Sequence, residues 1–132
     1  MQKHSLFTDK FPDNATNSQI KKLFDQNPQY DPYYIATASI KDRKEKVDAI
    51  WNIFQPYASK HFLKEYKLKG NFHPRTWEMY LGATFVSNKI KIETSKKDDW
   101  PDFILNDSTY IECVTCKNAN DENKPDYVPP VQ

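Results

Sequence analysis

The chain has 132 residues, 38 % hydrophobic and 14 % aromatic, which is one domain's worth of sequence with enough apolar mass to bury a core. It contains no apolar run near the ~20 residues of a membrane span, no signal-peptide core in Met1 to Lys10, and only two glycines, Gly70 and Gly82. No membrane-spanning helix, signal peptide or glycine-rich loop of the P-loop and Rossmann types is therefore expected, and cytoplasmic residence is the default expectation. The formal charge of +1 hides a division: from Asp98 onward eight acids face Lys117 and Lys124, a net of −6. The preceding residues therefore carry +7, a balance suited to gripping phosphates and positioning a cation.

Met1 to Asn17 is polar and broken by Pro12, and reads as an arm. Asn17-Ser18 can cap a short helix carrying Ile20, Leu23 and Phe24 on one face, stopped by Asn27-Pro28. Residues 1–38 are thus expected as an N-terminal arm with one short helix. Within them Gln29 to Tyr34, with Pro28, Pro32 and three tyrosines, reads as an extended connector whose rings pack onto the domain.

A core domain is expected over residues 39–116. Ser39 or Asp42 begins a stronger helix, in which Val47, Ile50, Trp51 and Phe54 form one stripe and Lys41, Arg43, Lys44, Glu45 and Lys46 solvate the other side. Pro56 interrupts it. The pattern resumes through Phe62, Leu63 and Tyr66, with Lys60, Lys64, Lys67 and Lys69 in water, and Gly70-Asn71 closes it. His73-Pro74 restarts the chain as a helix. Arg75 to Phe85 then places Trp77, Leu81, Thr84 and Phe85 on a buried face, with Tyr80 at its edge. Glu78 borders that face, within reach of Arg75 three residues earlier.

Asn88 marks a turn, and Lys89 to Glu93 alternates as a strand with one wet face. Thr94 to Asp99 is a polar loop holding Lys96 and Lys97. Two short strands follow, Phe103-Ile104-Leu105 and Tyr110-Ile111, joined by the turn-forming Asn106-Asp107-Ser108. Asp102 opens the first and Glu112 follows the second. Antiparallel pairing would bring both carboxylates to one end of the ladder, where a hard divalent ion would offset their repulsion. Lys117 to Gln132 shows no periodicity and is expected as a polar, proline-containing tail. Cys113 and Cys116 would face opposite sides of a strand, and His4, His61 and His73 do not stand at zinc spacings, so both cysteines read as free thiols.

Pro101-Asp102, followed by Ile111-Glu112 at the end of an apolar run, resembles the half-motifs of the PD-(D/E)xK nuclease superfamily, which has the restriction-endonuclease-like fold. The resemblance covers about the last half of the chain. It implies an α/β (α+β) domain in which N-terminal helices precede a small mixed or antiparallel sheet. It also implies Mg2+ or Mn2+ held by Asp102 and Glu112, with Glu78 contributing from the preceding helix, and hydrolysis of DNA phosphodiesters. The family carries a lysine two residues after the Glu, where this chain has Val114. Lys117 could swing back to that place, Lys91 could enter from the neighbouring strand, or the metal could act alone; the last ranks first. Lys60, Lys64, Lys67, Lys69, Lys96 and Lys97 are the expected contacts to backbone phosphates. The family core continues with another helix and strand, so the chain is expected to be the front half of the fold, a fragment of a longer protein. The alternative, favoured by Val114, is a non-catalytic nucleic-acid- or protein-binding module of the same fold.

Overall fold

In the computed structural model, which describes residues 4–94 and 101–115, five α-helices precede a three-stranded antiparallel sheet. The helices are α1 (Asn17–Gln26), α2 (Pro32–Ala38), α3 (Lys41–Phe54), α4 (Phe62–Tyr66) and α5 (Phe72–Ser87), with a 3-10 turn at Gln55–Tyr57. The strands are β1 (Ile92–Thr94), β2 (Phe103–Leu105) and β3 (Thr109–Ile111). The expected order of helices and then a small sheet is the observed one, a mixed α+β arrangement. The tail from Lys117, together with Lys96, Lys97 and Cys116, lies outside the described residues. No helix among the described residues is long and apolar enough to cross a membrane.

The N-terminal segment differs from the arm its composition suggests. Leu6 and Phe7 are buried in the core. Asp48 of α3 holds them there, accepting from the Ser5 hydroxyl at 2.7 Å and the Leu6 N–H at 2.8 Å, while Trp51 Nε1 donates to the His4 carbonyl at 2.8 Å. Two apolar residues among polar ones carry no periodicity, so nothing local announces their burial. Thr16 starts α1 with a capping box: its hydroxyl accepts from the Gln19 N–H, and the Gln19 side chain accepts from the Thr16 N–H.

The tyrosine-rich connector is instead the helix α2. Asp31 Oδ1 accepts the Tyr33 N–H at 2.9 Å, and Pro32 takes the first helical position, where a missing N–H costs nothing. The other oxygen of Asp31 accepts from Gly70 at 2.9 Å and Phe72 at 3.3 Å, at the start of α5. Tyr34 thereby enters the core, its ring near those of Phe7, Tyr30 and Tyr66. From α3 onward the stripe is as expected: Trp51 and Phe54 are buried, and Phe62 and Tyr66 of α4 continue the stack from Trp51.

On α5 the buried residues are Phe72, Met79, Gly82 and Ala83, and the expected inward positions Trp77 and Thr84 are exposed. This helix carries rings on several sides, so its periodicity does not select a face. Close packing at Gly82 does. A Cβ there would lie 2.5 Å from the Phe54 ring and 3.1 Å from the Phe103 ring, so only glycine lets α5 settle between α3 and the sheet. The helix ends with Lys89 in the left-handed region (φ 60°), the Lys89 N–H donating to Val86 O and the Ile90 N–H to Phe85 O. That cap uses up the residues expected to begin a strand, and β1 starts at Ile92.

In the sheet β2 is central, with Ile92 opposite Leu105, Phe103 opposite Ile111 and Leu105 opposite Thr109. Asn106 and Asp107 both adopt positive φ, the turn chemistry their identities suggest. Phe103 is fully buried and meets the edges of Phe54 and Phe85. Replacing Gly82 by Ala should destabilise the fold by about 1–3 kcal/mol through overpacking. A urea midpoint unchanged by Gly82→Ala would show that α5 does not approach Phe54 this closely.

Candidate functional site

Because Phe103 stands opposite Ile111, Asp102 and Glu112 flank the same end of the β2–β3 ladder, one just before β2 and the other just after β3. Their surroundings differ. Asp102 is half-buried, and its Oδ2 accepts the Cys113 backbone N–H at 2.7 Å, fastening the chain that leaves β3 to the start of β2. Glu112 is exposed.

Glu78 reaches the same neighbourhood from α5. Positions 78, 82 and 85 share one side of that helix, and Gly82 and Phe85 both abut Phe103, so Glu78 faces the sheet one turn nearer its open end. Its side chain is only 12 % exposed and accepts from Arg75 at 3.0 Å, while the second guanidinium nitrogen of Arg75 donates to Glu65 at 2.9 Å. Burial raises the Glu78 carboxyl pKa above its ordinary value. The charges of Asp102 and Glu65 push the same way, and Arg75 opposes them.

Cys113, expected as a free thiol, feels all three of these carboxylates. Its pKa is pushed up to about 12, first by burial and then by the charges of Asp102, Glu78 and Glu112. The three carboxylates expected to bind metal thus all act, through their charges, on one thiol. They do not share a coordination point: no group of three or more His, Cys, Asp or Glu among the described residues is arranged to hold a metal ion. Arg75 engages Glu78, and the Cys113 amide engages Asp102. The donor chemistry nevertheless suits a hard cation, since magnesium needs only one or two carboxylate oxygens from protein.

The lysines fare unequally. Lys60, Lys64 and Lys69 are exposed, as phosphate contacts must be. Lys67 is not available: its Nζ lies 3.4 Å from Asp9 Oδ2 and 5.2 Å from the centre of the Tyr30 ring, which makes it a strut between α4 and the N-terminal segment. Lys91 pairs with Asp107 at 3.1 Å on the hairpin turn. Val114, at the family's lysine position, is 77 % exposed. Lys96, Lys97 and Lys117 are outside the described residues.

A second feature escaped the sequence reading. Asp31, Pro32, Tyr33, Lys69, Gly70, His73, Pro74 and Thr115 line a cleft of about 310 Å³ at the start of α5. The Asp31-Pro32 helix-start pair was the available signal, because it turns the tyrosine run into a helix and sets Tyr33 beside His73. Compared with family models, curated proteins and solved structures, the chain matches none.

Two outcomes follow from the buried groups. Glu78 holds its proton more tightly in the folded chain than in the unfolded one. Stability should therefore fall as pH rises past its ordinary value of 4.5, until the folded carboxyl has also ionised. Over that window Glu78→Gln should gain on the wild type in urea unfolding, and a difference constant with pH would place Glu78 in water. Native Cys113 should react with iodoacetamide at pH 8 at least about a hundredfold more slowly than in urea, because almost no thiolate is present. Equal rates, located by mass spectrometry, would mean that the thiol is neither buried nor crowded by charge.

Proposed function

We propose that the chain is a metal-binding, nuclease-like module that acts on DNA phosphodiesters with little turnover, of the restriction-endonuclease-like kind that Pro101-Asp102 and Ile111-Glu112 suggest. The observation that carries this reading is the register that sets Asp102 and Glu112 at one end of the central hairpin, with the largely buried Glu78 close enough to feel the Asp102 charge. Like charges brought toward one end of the ladder are relieved by a cation or a proton. Asp102 and Glu112 would hold Mg2+ or Mn2+, and Glu78 would join through water. When bound, the ion would lower the pKa of a water molecule and neutralise charge at the phosphorus.

The remaining roles belong to the chain. Arg75 holds Glu78 at the sheet and must loosen if that carboxylate is to turn toward a metal. Asp102 keeps one oxygen on the Cys113 amide, which sets its orientation before any ion binds. Lys60, Lys64 and Lys69, with Lys96 and Lys97, would bind backbone phosphates irrespective of sequence, an affinity that weakens with salt. Turnover is expected to be low because Val114 supplies no ammonium and Lys91 is engaged with Asp107. Those two facts also favour the second reading, a non-catalytic binding module.

Manganese at about 10 mM should raise stability by roughly 1 kcal/mol, the linkage expected of a millimolar site, and Asp102→Asn should abolish the gain. Supercoiled DNA incubated with the chain and magnesium or manganese should be nicked slowly or not at all. Rapid nicking lost in Asp102→Asn would establish a true enzyme. No metal effect on stability at any pH would remove the metal site.

A further inference from the structure

The core of this chain is built from rings that touch one another out of water, from Phe7 and Tyr34 through Tyr66 and Phe62 to Trp51. Outside it, four aromatic side chains gather along α5 and the start of α2. Tyr33 is 58 % exposed, Trp77 40 % and Tyr80 49 %, and His73 is exposed beside them. His73, Trp77 and Tyr80 recur at spacings of four and three on α5, away from the side that buries Phe72, Met79 and Ala83. They form two ring pairs. Tyr33 and His73 have centroids 4.4 Å apart, and Trp77 lies nearly parallel to Tyr80 at 6.0 Å. From His73 to Tyr80 the row runs about 10 Å along the helix, the length of roughly three stacked nucleotides.

We propose that this row, with the cleft at its Tyr33–His73 end, is a stacking platform for the bases of single-stranded nucleic acid. The inference rests on the phosphodiester reading above and names its substrate class. The cleft has apolar walls in Pro32, Tyr33 and Pro74, with Lys69 alongside. Lys69 has no ion-pair partner among the described residues. A flat wall beside an unpaired cation suits a base and its phosphate. The cleft also adjoins the carboxylates. Thr115 lines it two residues beyond Cys113, and Pro74 lies one helical turn, about 6 Å, before Glu78 on the same side of α5.

Unpaired bases are favoured over a duplex because ring faces can stack only on base faces, and a duplex keeps those covered. A polyanion is favoured over a protein partner by Lys69 and by the +7 carried before Asp98. The test uses the full chain in EDTA, so the carboxylates and any metal play no part. Anisotropy should show a labelled oligo(dT) binding at least tenfold more tightly than a duplex of equal length. Tyr33→Ala and Trp77→Ala should each weaken that binding by about fivefold to a hundredfold. Both rings stand outside the core, so both variants should stay folded, with urea midpoints lowered only by the lost contact of Tyr33 with Phe72 and the covered part of Trp77. Lys69→Ala should lower the salt slope by about one.

Because EDTA leaves the carboxylates without an ion, single-strand binding is read independently of the manganese gain in stability, which separates a failure of the platform from a failure of the metal site. Equal affinity for single strand and duplex would overturn the platform. So would ring variants that bind normally. If dTMP displaces the oligonucleotide at equal concentration, the cleft is a mononucleotide pocket and the platform is also overturned. A protein ligand lost in Tyr33→Ala and Trp77→Ala, with no oligonucleotide binding, would reassign the face.

Discussion

Asp31 is the constraint on which the other placements depend. It is 4 % exposed, yet its two oxygens accept three backbone N–H groups, and its own N–H donates to the Lys67 carbonyl at 2.8 Å. A buried carboxylate is tolerable when it is bonded in this way, and the positive ends of two helices face it. The first of them, α2, is capped within its own sequence. The second, α5, is not: Asn71 makes no side-chain cap, so Asp31 supplies from 41 residues away the acceptor that the start of α5 lacks. That attachment anchors the start of α5, and packing at Gly82 then sets which side carries Glu78 and which carries His73, Trp77 and Tyr80.

Around Asp31 the core is aromatic, and its polar atoms are satisfied. Tyr34 donates to Asp9 at 2.9 Å, and the Tyr66 hydroxyl lies 2.7 Å from that of Thr76. Burial, above all, raises the pKa of both phenols, so they remain neutral donors. Among the described residues no buried side-chain polar atom lacks a partner. The sheet is small, three residues per strand, and depends on the helices for cover. Phe103 supplies that contact against Phe54 and Phe85, and Thr94 adds a hydrogen bond to the Tyr57 carbonyl at 2.6 Å.

The electrostatics of the candidate site follow from the same packing. Glu78 feels both Arg75 and Asp102 because Gly82 and Phe85 seat α5 against Phe103, and Cys113 feels three carboxylates because the chain beyond β3 is fastened to Asp102. Arg75 is shared between Glu65 and Glu78, so one guanidinium offsets two acids, and the Asp102 charge beside them has only an amide. That imbalance is what a metal ion or a bound proton would relieve.

The features legible in the sequence were those decided over a few residues. The α3 stripe of Val47, Ile50, Trp51 and Phe54, the Asn106-Asp107 turn and the two short strands beside it depend on local periodicity and backbone preference. The turn fixes the register, and the register alone brings Asp102 and Glu112 to one end of the ladder. Asp31-Pro32 was equally local, but three tyrosines and two prolines obscured it. The remainder needed partners far along the chain. Leu6 is held by Asp48, and Lys67 is taken by Asp9 across 58 positions. Trp77 could not be placed by any window of its own helix. With rings on several sides, α5 has no preferred face until Phe54 and Phe103 close around it, and between them there is room only for Gly82.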